Sequence, residues 1–420
     1  MNRLSAPLVV LACTASLGSA QTPGTNPYDY ILSNFTGLFQ NSIVRVDRTN
    51  GVATTLFPFT MGTLESIAMD ADNLSYLVLD TVGTSFIRRV DLSGPSMTSV
   101  GPFDPSYDFV VDQDTSMVAA TQLGDLKRIT RQGAQSNVLL TNGFFRGLCI
   151  DLDTGDYIVN DLFANAVLRV TRAGVATTMR SGMIGLLDVA YDTGSGDFFV
   201  SRATGAVGFL HRLTRSGTLT TIFSSGSLAA EPRSLIVLPQ GHPAGAGNLA
   251  VIDSLPIPVG VFIFTPMGAL TSTVIFGQNN SIVPSGIESN NSRMLAPRIG
   301  TAAPTPGAMY QINIQATSLD FNRGYMLAAS FTPRPGIPLP GGRTVPLVVD
   351  PLFIQSLVDP FLFPGFQGAL DGNGRALAGV NIPNIAGLRG IRIFVAGIVI
   401  DAASPGGVRT VTNLLAFTIV

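Results

Sequence analysis

Apolar and polar positions along the first three hundred residues alternate in short bursts, and the burst pattern repeats. Its clearest copy is residues 145–182, FRGLCIDLDTGDYIVNDLFANAVLRVTRAGVATTMRSG. An apolar run ending at Asp151 is followed by runs at 157–161, 166–171 and 175–180, with turn residues between them. Runs this short with such punctuation predict four β-strands. The stretches LESIAMDADN from residue 64, YDFVVDQDTS from 107, RGLCIDLDTG from 146 and LDVAYDTGSG from 187 repeat the first strand and its turn. Asp70, Asp112, Asp151 and Asp192 mark the register, with spacings of 42, 39 and 41 residues. A looser fifth copy, RSLIVLPQG, starts at residue 233 and is followed by a Gly-, Pro- and Ala-rich insertion at 241–247.

Four strands per forty-residue unit cannot bury their faces alone, so a repeat of this length predicts a β-propeller whose blades pack on one another. Six sets of the remaining strands can be aligned. The set beginning near residue 28 has no first strand ahead of it, and PSGIESNNSRML from residue 284 is a first strand with no continuation. The two complete each other, giving six blades over residues 28–295, the last closed by strands from both ends and leaving no free sheet edge.

From residue 296 the repeat stops, and APRIGTAAPTPG at 296–307 reads as a linker. Residues 308–420 carry strand-like runs at 310–317, 325–331, 344–349, 368–370, 376–382, 390–400 and 413–420, without helical periodicity. Short strands with many turns predict a β-sandwich, with a hairpin around Asp371, Gly372, Asn373 and Gly374. The expected fold is therefore all-β: a six-bladed β-propeller followed by a smaller β-sandwich domain.

The pattern GLCIDLDTGDYIVND…AVLRVTRAGVATT resembles the NHL-type repeat and, more broadly, the six-bladed propellers that include gluconolactonase-like (SMP-30-type) and streptogramin-lyase-like proteins. The resemblance implies the architecture. Activity does not follow from it, because such propellers serve as lactonases, lyases and non-catalytic binding platforms. The GRTVPLVVDPLF, GALDGNGRALAGVNIP and SPGGVRTVTNLLAFTIV stretches resemble the C-terminal sandwich of many secreted bacterial proteins of unassigned function.

Composition fits a folded β protein, with 12% charged residues, 46% hydrophobic residues, 45 Gly and 27 Pro. A net charge of −2 and a single lysine, Lys127, disfavour a nucleic-acid partner. Arg3, the apolar stretch at 6–13 and the small-residue end Gly18-Ser19-Ala20 predict a signal peptide over 1–20. The expected destination is the periplasm or cell exterior. A lipoprotein box at Val10-Leu11-Ala12-Cys13 fits less well, because it leaves a very short hydrophobic core. No later run reaches the ~20 apolar residues of a spanning helix. With Cys13 removed only Cys149 remains, within an apolar run where a buried, inert thiol is expected.

Strand direction sorts the polar residues. The first strand of a blade starts on the same face of the ring on which the second strand ends. That rule gathers Glu65, Asp108, Arg146, Asp188 and Arg233 at first-strand starts, and Asn34, Asp80, Asp161, Arg202 and Asp253 at second-strand ends. Together they predict a mixed-charge axial mouth, the usual place for a ligand of a closed β-ring. The Asp-x-Asp turns at Asp70–Asp72, Asp112–Asp114 and Asp151–Asp153 fall on the opposite face and read as hairpin turns rather than calcium loops.

Two functions are weighed. The leading one is a secreted, non-catalytic binding module without cofactor, whose small-molecule or protein ligand is unidentified. The alternative is a lactonase-class hydrolase with a divalent cation such as calcium held by Glu65, Asp161 and Asp188, with Asn34 a further candidate. A lyase would need a histidine base at the mouth. His211 aligns with an outer strand and His242 with the insertion.

Overall fold

The computed structural model describes residues 30–35, 41–47, 52–59, 62–70, 75–91, 97–225, 231–238, 244–245, 247–253, 260–275, 283–289, 294–316 and 320–420. The expected signal peptide, Cys13 and His242 lie outside the described residues.

Six four-stranded antiparallel sheets form the ring, each named here by its inner strand. Thr63–Met69, Ser106–Val111, Phe145–Ile150, Leu186–Tyr191 and Pro232–Val237 begin blades one to five. Val283–Ser289 begins the sixth and pairs with Tyr30–Phe35, so this blade joins strands from the two ends of the propeller. The inner strands contact one another in sequence, and Val283–Ser289 contacts Thr63–Met69 to close the circle.

The strands form because both faces of each blade are buried: Tyr157–Asp161 is buried at every position. Six apolar clusters each lie between two neighbouring blades. Cys149, Ile158 and Val167 of blade three, for example, pack on Val189, Phe198 and Val200 of blade four. A fully buried side chain such as Phe198 contributes about 1.5–3 kcal/mol by leaving water. Cys149 is buried there, and desolvation pushes its thiol up, away from the reactive thiolate.

The second unit is a sandwich. Leu295–Pro297, Met309–Gln315 and Arg375–Asn381 form one sheet. Gln367–Ala369, Gly324–Ser330, Arg392–Ile400, Val408–Val411 and Leu415–Thr418 form the other. Ile312, Ile314 and Val380 of the first meet Leu327, Val395 and Phe417 of the second in one core.

Three sequence expectations change here. The segment expected as a linker begins inside a strand, with Leu295 in the sandwich core. The Asp371–Gly374 turn is tight, with Asp371 N–H donating to Arg375 O at 2.8 Å, but its flanking strands Gln367–Ala369 and Arg375–Asn381 enter opposite sheets. It is a corner between sheets rather than a hairpin. A helix, Pro351–Val358, also appears where no helical period was read. At eight residues it is too short to show one, and Asp350 starts it by accepting from Phe353 N–H at 2.8 Å.

The sandwich covers the face of the ring on which the first strands end. Tyr310 Oη donates to Gln113 O at 3.0 Å, Arg392 Nε to Leu152 O at 2.7 Å, and Arg334 pairs with Asp153. The opposite face, with the axial mouth, is left open to solvent by this arrangement.

Candidate functional site: the axial mouth

Each described pairing of first and second strands slips by one residue near its start. The slips fall between Leu64 and Ser66, Ser106 and Asp108, Arg146 and Leu148, Leu186 and Asp188, and Pro232 and Ser234. The sixth blade slips opposite Ser33 and Asn34. A bulge bends its strand and re-aims side chains. Repeated around the ring, it brings two residues from each of five blades onto one small axial pocket of about 30 Å³.

Those residues form two layers. Five residues before the register position stand Glu65, Tyr107, Arg146, Leu187 and Arg233. Four residues before it stand Ser66, Asp108, Gly147, Asp188 and Ser234. All five expected first-strand residues therefore line the mouth, although they belong to different layers: Glu65, Arg146 and Arg233 to one, Asp108 and Asp188 to the other. Tyr107, Leu187, Ser66, Gly147 and Ser234 were missed by looking for charges. Counting back a constant distance from the register aspartates finds the first four, and the same count from Leu238, which replaces the aspartate in the fifth copy, finds Ser234.

In the second layer, Asp108 Oδ1 accepts from Ser66 Oγ at 2.6 Å and Phe109 N–H at 2.8 Å, while its Oδ2 accepts from Leu148 N–H at 2.7 Å. Asp188 repeats the motif two blades on, with Val189 N–H at 2.7 Å and Leu235 N–H at 2.8 Å. Each carboxylate thus stitches its own inner strand to the next blade. Burial pushes Asp108 up to about 6 and Asp188 up to about 7, the latter also repelled by Asp108. Between them stands Gly147, at φ +39°. Beside Gly147, the fully buried amide of Asn160 has no hydrogen-bond partner on either atom.

The first layer is ionic and aromatic. The Arg146 guanidinium lies 5.4 Å from the centre of the Tyr107 ring, and Tyr107 meets Phe144, which stacks on the exposed Phe163. Among the described residues Arg146 has no hydrogen bond or ion pair. Desolvation, and next the Arg233 cation, hold its pKa below the ordinary arginine value. Burial raises Glu65, opposed by Arg233 and Arg146. Arg233 itself lies 3.5 Å from Glu231.

The second-strand residues do not line this pocket. Asp161 accepts from the amides of Phe144, Phe163 and Ala164, and Asp253 from Glu231 N–H at 2.9 Å. Asp80 takes Arg88 Nε at 2.6 Å. Asp161 and Asp253 clamp the loops that lead into the inner strands, whereas Asp80 ties the second strand of blade one to its third. Arg202 donates to His211 Nε2 at 2.7 Å and stacks on Phe209. His211 is buried in the third strand of blade four, and desolvation pushes it down to about 4, so it is neutral. The side chain of Asn34 lies outside the described residues.

The residues considered for a cation do not fit one. Asp161 is occupied by three amides away from Glu65 and Asp188, and both oxygens of Asp188 already accept backbone N–H groups. Among the described residues no group of three or more His, Cys, Asp or Glu is placed to hold a metal ion. No described helix is long and apolar enough to cross a membrane.

No protein-family model and no curated protein sequence matches the chain. Among solved structures, a chain of the nidogen/laminin complex is 14% identical with a TM-score of 0.50, the match covering 62% of this chain and 97% of that one. The streptogramin B lyase structure matches at 10% identity and TM-score 0.43, over 63% of this chain and 89% of its own. A Bacteroides fragilis protein assigned as a candidate 6-phosphogluconolactonase matches at 12% and 0.43, over 63% and 98%. At 14% identity the likeness to the nidogen/laminin chain speaks for fold alone, and the fold it supports is the β-propeller.

Proposed function

We propose that the chain is a non-catalytic binding module acting at the cell exterior, with the axial mouth as its recognition surface and the sandwich as an accessory unit. The observation that carries this reading is Arg146. A guanidinium held at the opening against Tyr107, with no carboxylate or carbonyl partner among the described residues, retains its full donor set for an incoming acceptor. The Tyr107, Phe144 and Phe163 rings extend an apolar rim beside it. The space at the axis admits only a single small group, so the fitting ligand is one that inserts an anionic tip, such as a carboxylate, and rests its body on that rim.

The chain contains no tryptophan, so Phe163→Trp supplies a single fluorescent reporter on the rim. The reading expects its emission to change with acidic peptides or small carboxylates, and the change to vanish in a Phe163→Trp, Arg146→Gln double variant. Hydrolysis of simple lactones that disappears with a chelator and in Glu65→Ala would sink it in favour of the hydrolase.

A further inference from the structure

A second opening lies between the sandwich and the face of the ring that it covers. It is a cleft of about 230 Å³, lined on the ring side by Gln113, Leu152, Arg172 and Tyr191 and on the sandwich side by Arg392 and Leu414. An engineered cavity of about 150 Å³ already holds benzene, so this one has room for a ring-sized apolar body and one polar group.

The charges around it do not balance locally. Arg128 and Arg172 pair with Asp112, Arg169 and Arg215 with Asp151, and Arg334 with Asp153. Arg392 has no carboxylate partner among the described residues. Its Nε is used by Leu152 O and its Nη1 by Thr418 Oγ1 at 2.8 Å, which leaves Nη2 with no hydrogen bond. Burial, with Arg172 nearby, pushes Arg392 down to about 10, outweighing the more distant charges of Asp151, Asp112 and Asp153, none of which forms an ion pair with it. Two groups at the cleft are buried without a partner, the Nε of Arg172 and the Oε1 of Gln113. Buried polar atoms left open in this way point to something that completes them.

We propose that this cleft is a ligand site, separate from the mouth, for a small monocarboxylate with a compact apolar body. Its carboxylate meets the Arg392 guanidinium, and its body packs on Leu152 and Leu414. Asp112 also lines the cleft, but its oxygens are taken by Arg172 and the Tyr157 hydroxyl. The cation there without an ion pair, Arg392, matches one negative charge, whereas a phosphate dianion would bring more charge and more oxygens than the cleft can satisfy.

The test uses the full chain and three acids, benzoate, phenylacetate and hexanoate, each beside its own amide, by calorimetric titration at neutral pH. The expected result is one-to-one binding of at least one acid, about tenfold or more tighter than its amide. Binding is lost in Arg392→Met and also in Thr193→Phe, which fills the cleft from a partly exposed position without touching Arg392. Should Arg392→Met fail to fold, Thr193→Phe decides alone. All titrations are made in the Arg146→Gln background, which removes carboxylate binding at the mouth, so this site and the mouth succeed or fail separately. Absence of binding by all three acids, equal binding of acids and amides, or binding that survives Thr193→Phe would overturn the proposal.

Discussion

Arg172 of blade three grips Asp112 of blade two at two points, Nη1 on Oδ2 at 2.6 Å and Nη2 on Oδ1 at 2.5 Å, although the two residues are 60 apart in sequence. The same latch joins Arg131 to Asp70 and Arg215 to Asp151 across separations of 61 and 64 residues. Each arginine sits in a Thr-Arg-x-Gly turn, and each aspartate is a register mark. Breaking a buried pair by removing one partner costs about 3–5 kcal/mol. Asp112 would keep Arg128 and the Tyr157 hydroxyl, so Arg172→Gln is expected to cost about 2–4 kcal/mol in urea unfolding, somewhat less than that range. Arg298→Gln removes only an exposed contact to Gln311 and should cost under about 0.5 kcal/mol.

The latch and the mouth give opposite pH slopes. Asp112 is held below the usual carboxylate value by Arg172 and Arg128, which outweigh its burial. Its contribution is therefore complete above the unfolded value, near 4, and is lost as pH falls through the lower folded value. In Arg172→Gln that loss begins at a higher pH, visible as an earlier acid unfolding transition.

Asp188 and Asp108 behave the other way. Their folded values lie above the unfolded one, so between about pH 4 and 7 the folded state binds more protons and stability declines as pH rises. Asp188→Asn removes one titrating group and its repulsion with Asp108. It is expected to flatten that decline, while losing some stability at pH 4 because an amide N–H₂ must replace an oxygen that accepts from Val189 or Leu235. Urea midpoints across this range for both proteins give the comparison, and parallel slopes would contradict it.

The propeller was legible because its repeat is a physical necessity: each blade needs the same strand lengths and the same turn to bury both faces against neighbours. Asp70, Asp112, Asp151 and Asp192 recur because that turn recurs. The arginines that latch Asp70, Asp112 and Asp151 from the following blade were not legible, since each pairs about sixty residues away. The mouth was half legible. Charge alone pointed to Glu65, Asp108, Arg146, Asp188 and Arg233, but the bulge that sorts them into two layers leaves no mark in hydrophobic alternation. Asp161, Asp80 and Asp253 were drawn to the mouth by strand direction, and are instead spent on the amides and the arginine beside them. The helix at Pro351–Val358 was hidden by its length.

Metal removal separates the two functional readings cheaply. Any ion that binds the native state raises apparent stability by mass action, about 2.7 kcal/mol at a hundredfold excess over its dissociation constant. The occupied oxygens of Asp188 and the displaced Asp161 lead to the expectation that the melting temperature is the same in millimolar calcium and in chelator. A rise with calcium that disappears in Glu65→Ala would restore the hydrolase.

Gly147 is the residue of the second layer whose backbone packs directly against blade four. Its backbone lies at φ +39°, which side-chain-bearing residues adopt only with strain. A Cβ there would stand 2.7 Å from Asp188 Cα and 2.9 Å from Leu187 O, both backbone atoms that cannot swing aside, and 3.0 Å from Asn160 Nδ2. Gly147→Ala must therefore push blades three and four apart at the axis, against the packing of Cys149 and Val189 behind them. The expected loss is about 2–4 kcal/mol, larger than the cost of the backbone angle alone. Gly182→Ala is the control, because that residue has a similar positive φ, +74°, with open space around its Cβ, and should lose only about 1 kcal/mol. Equal losses in the two variants would show that the angle, and not the contact with blade four, is what requires glycine at the mouth.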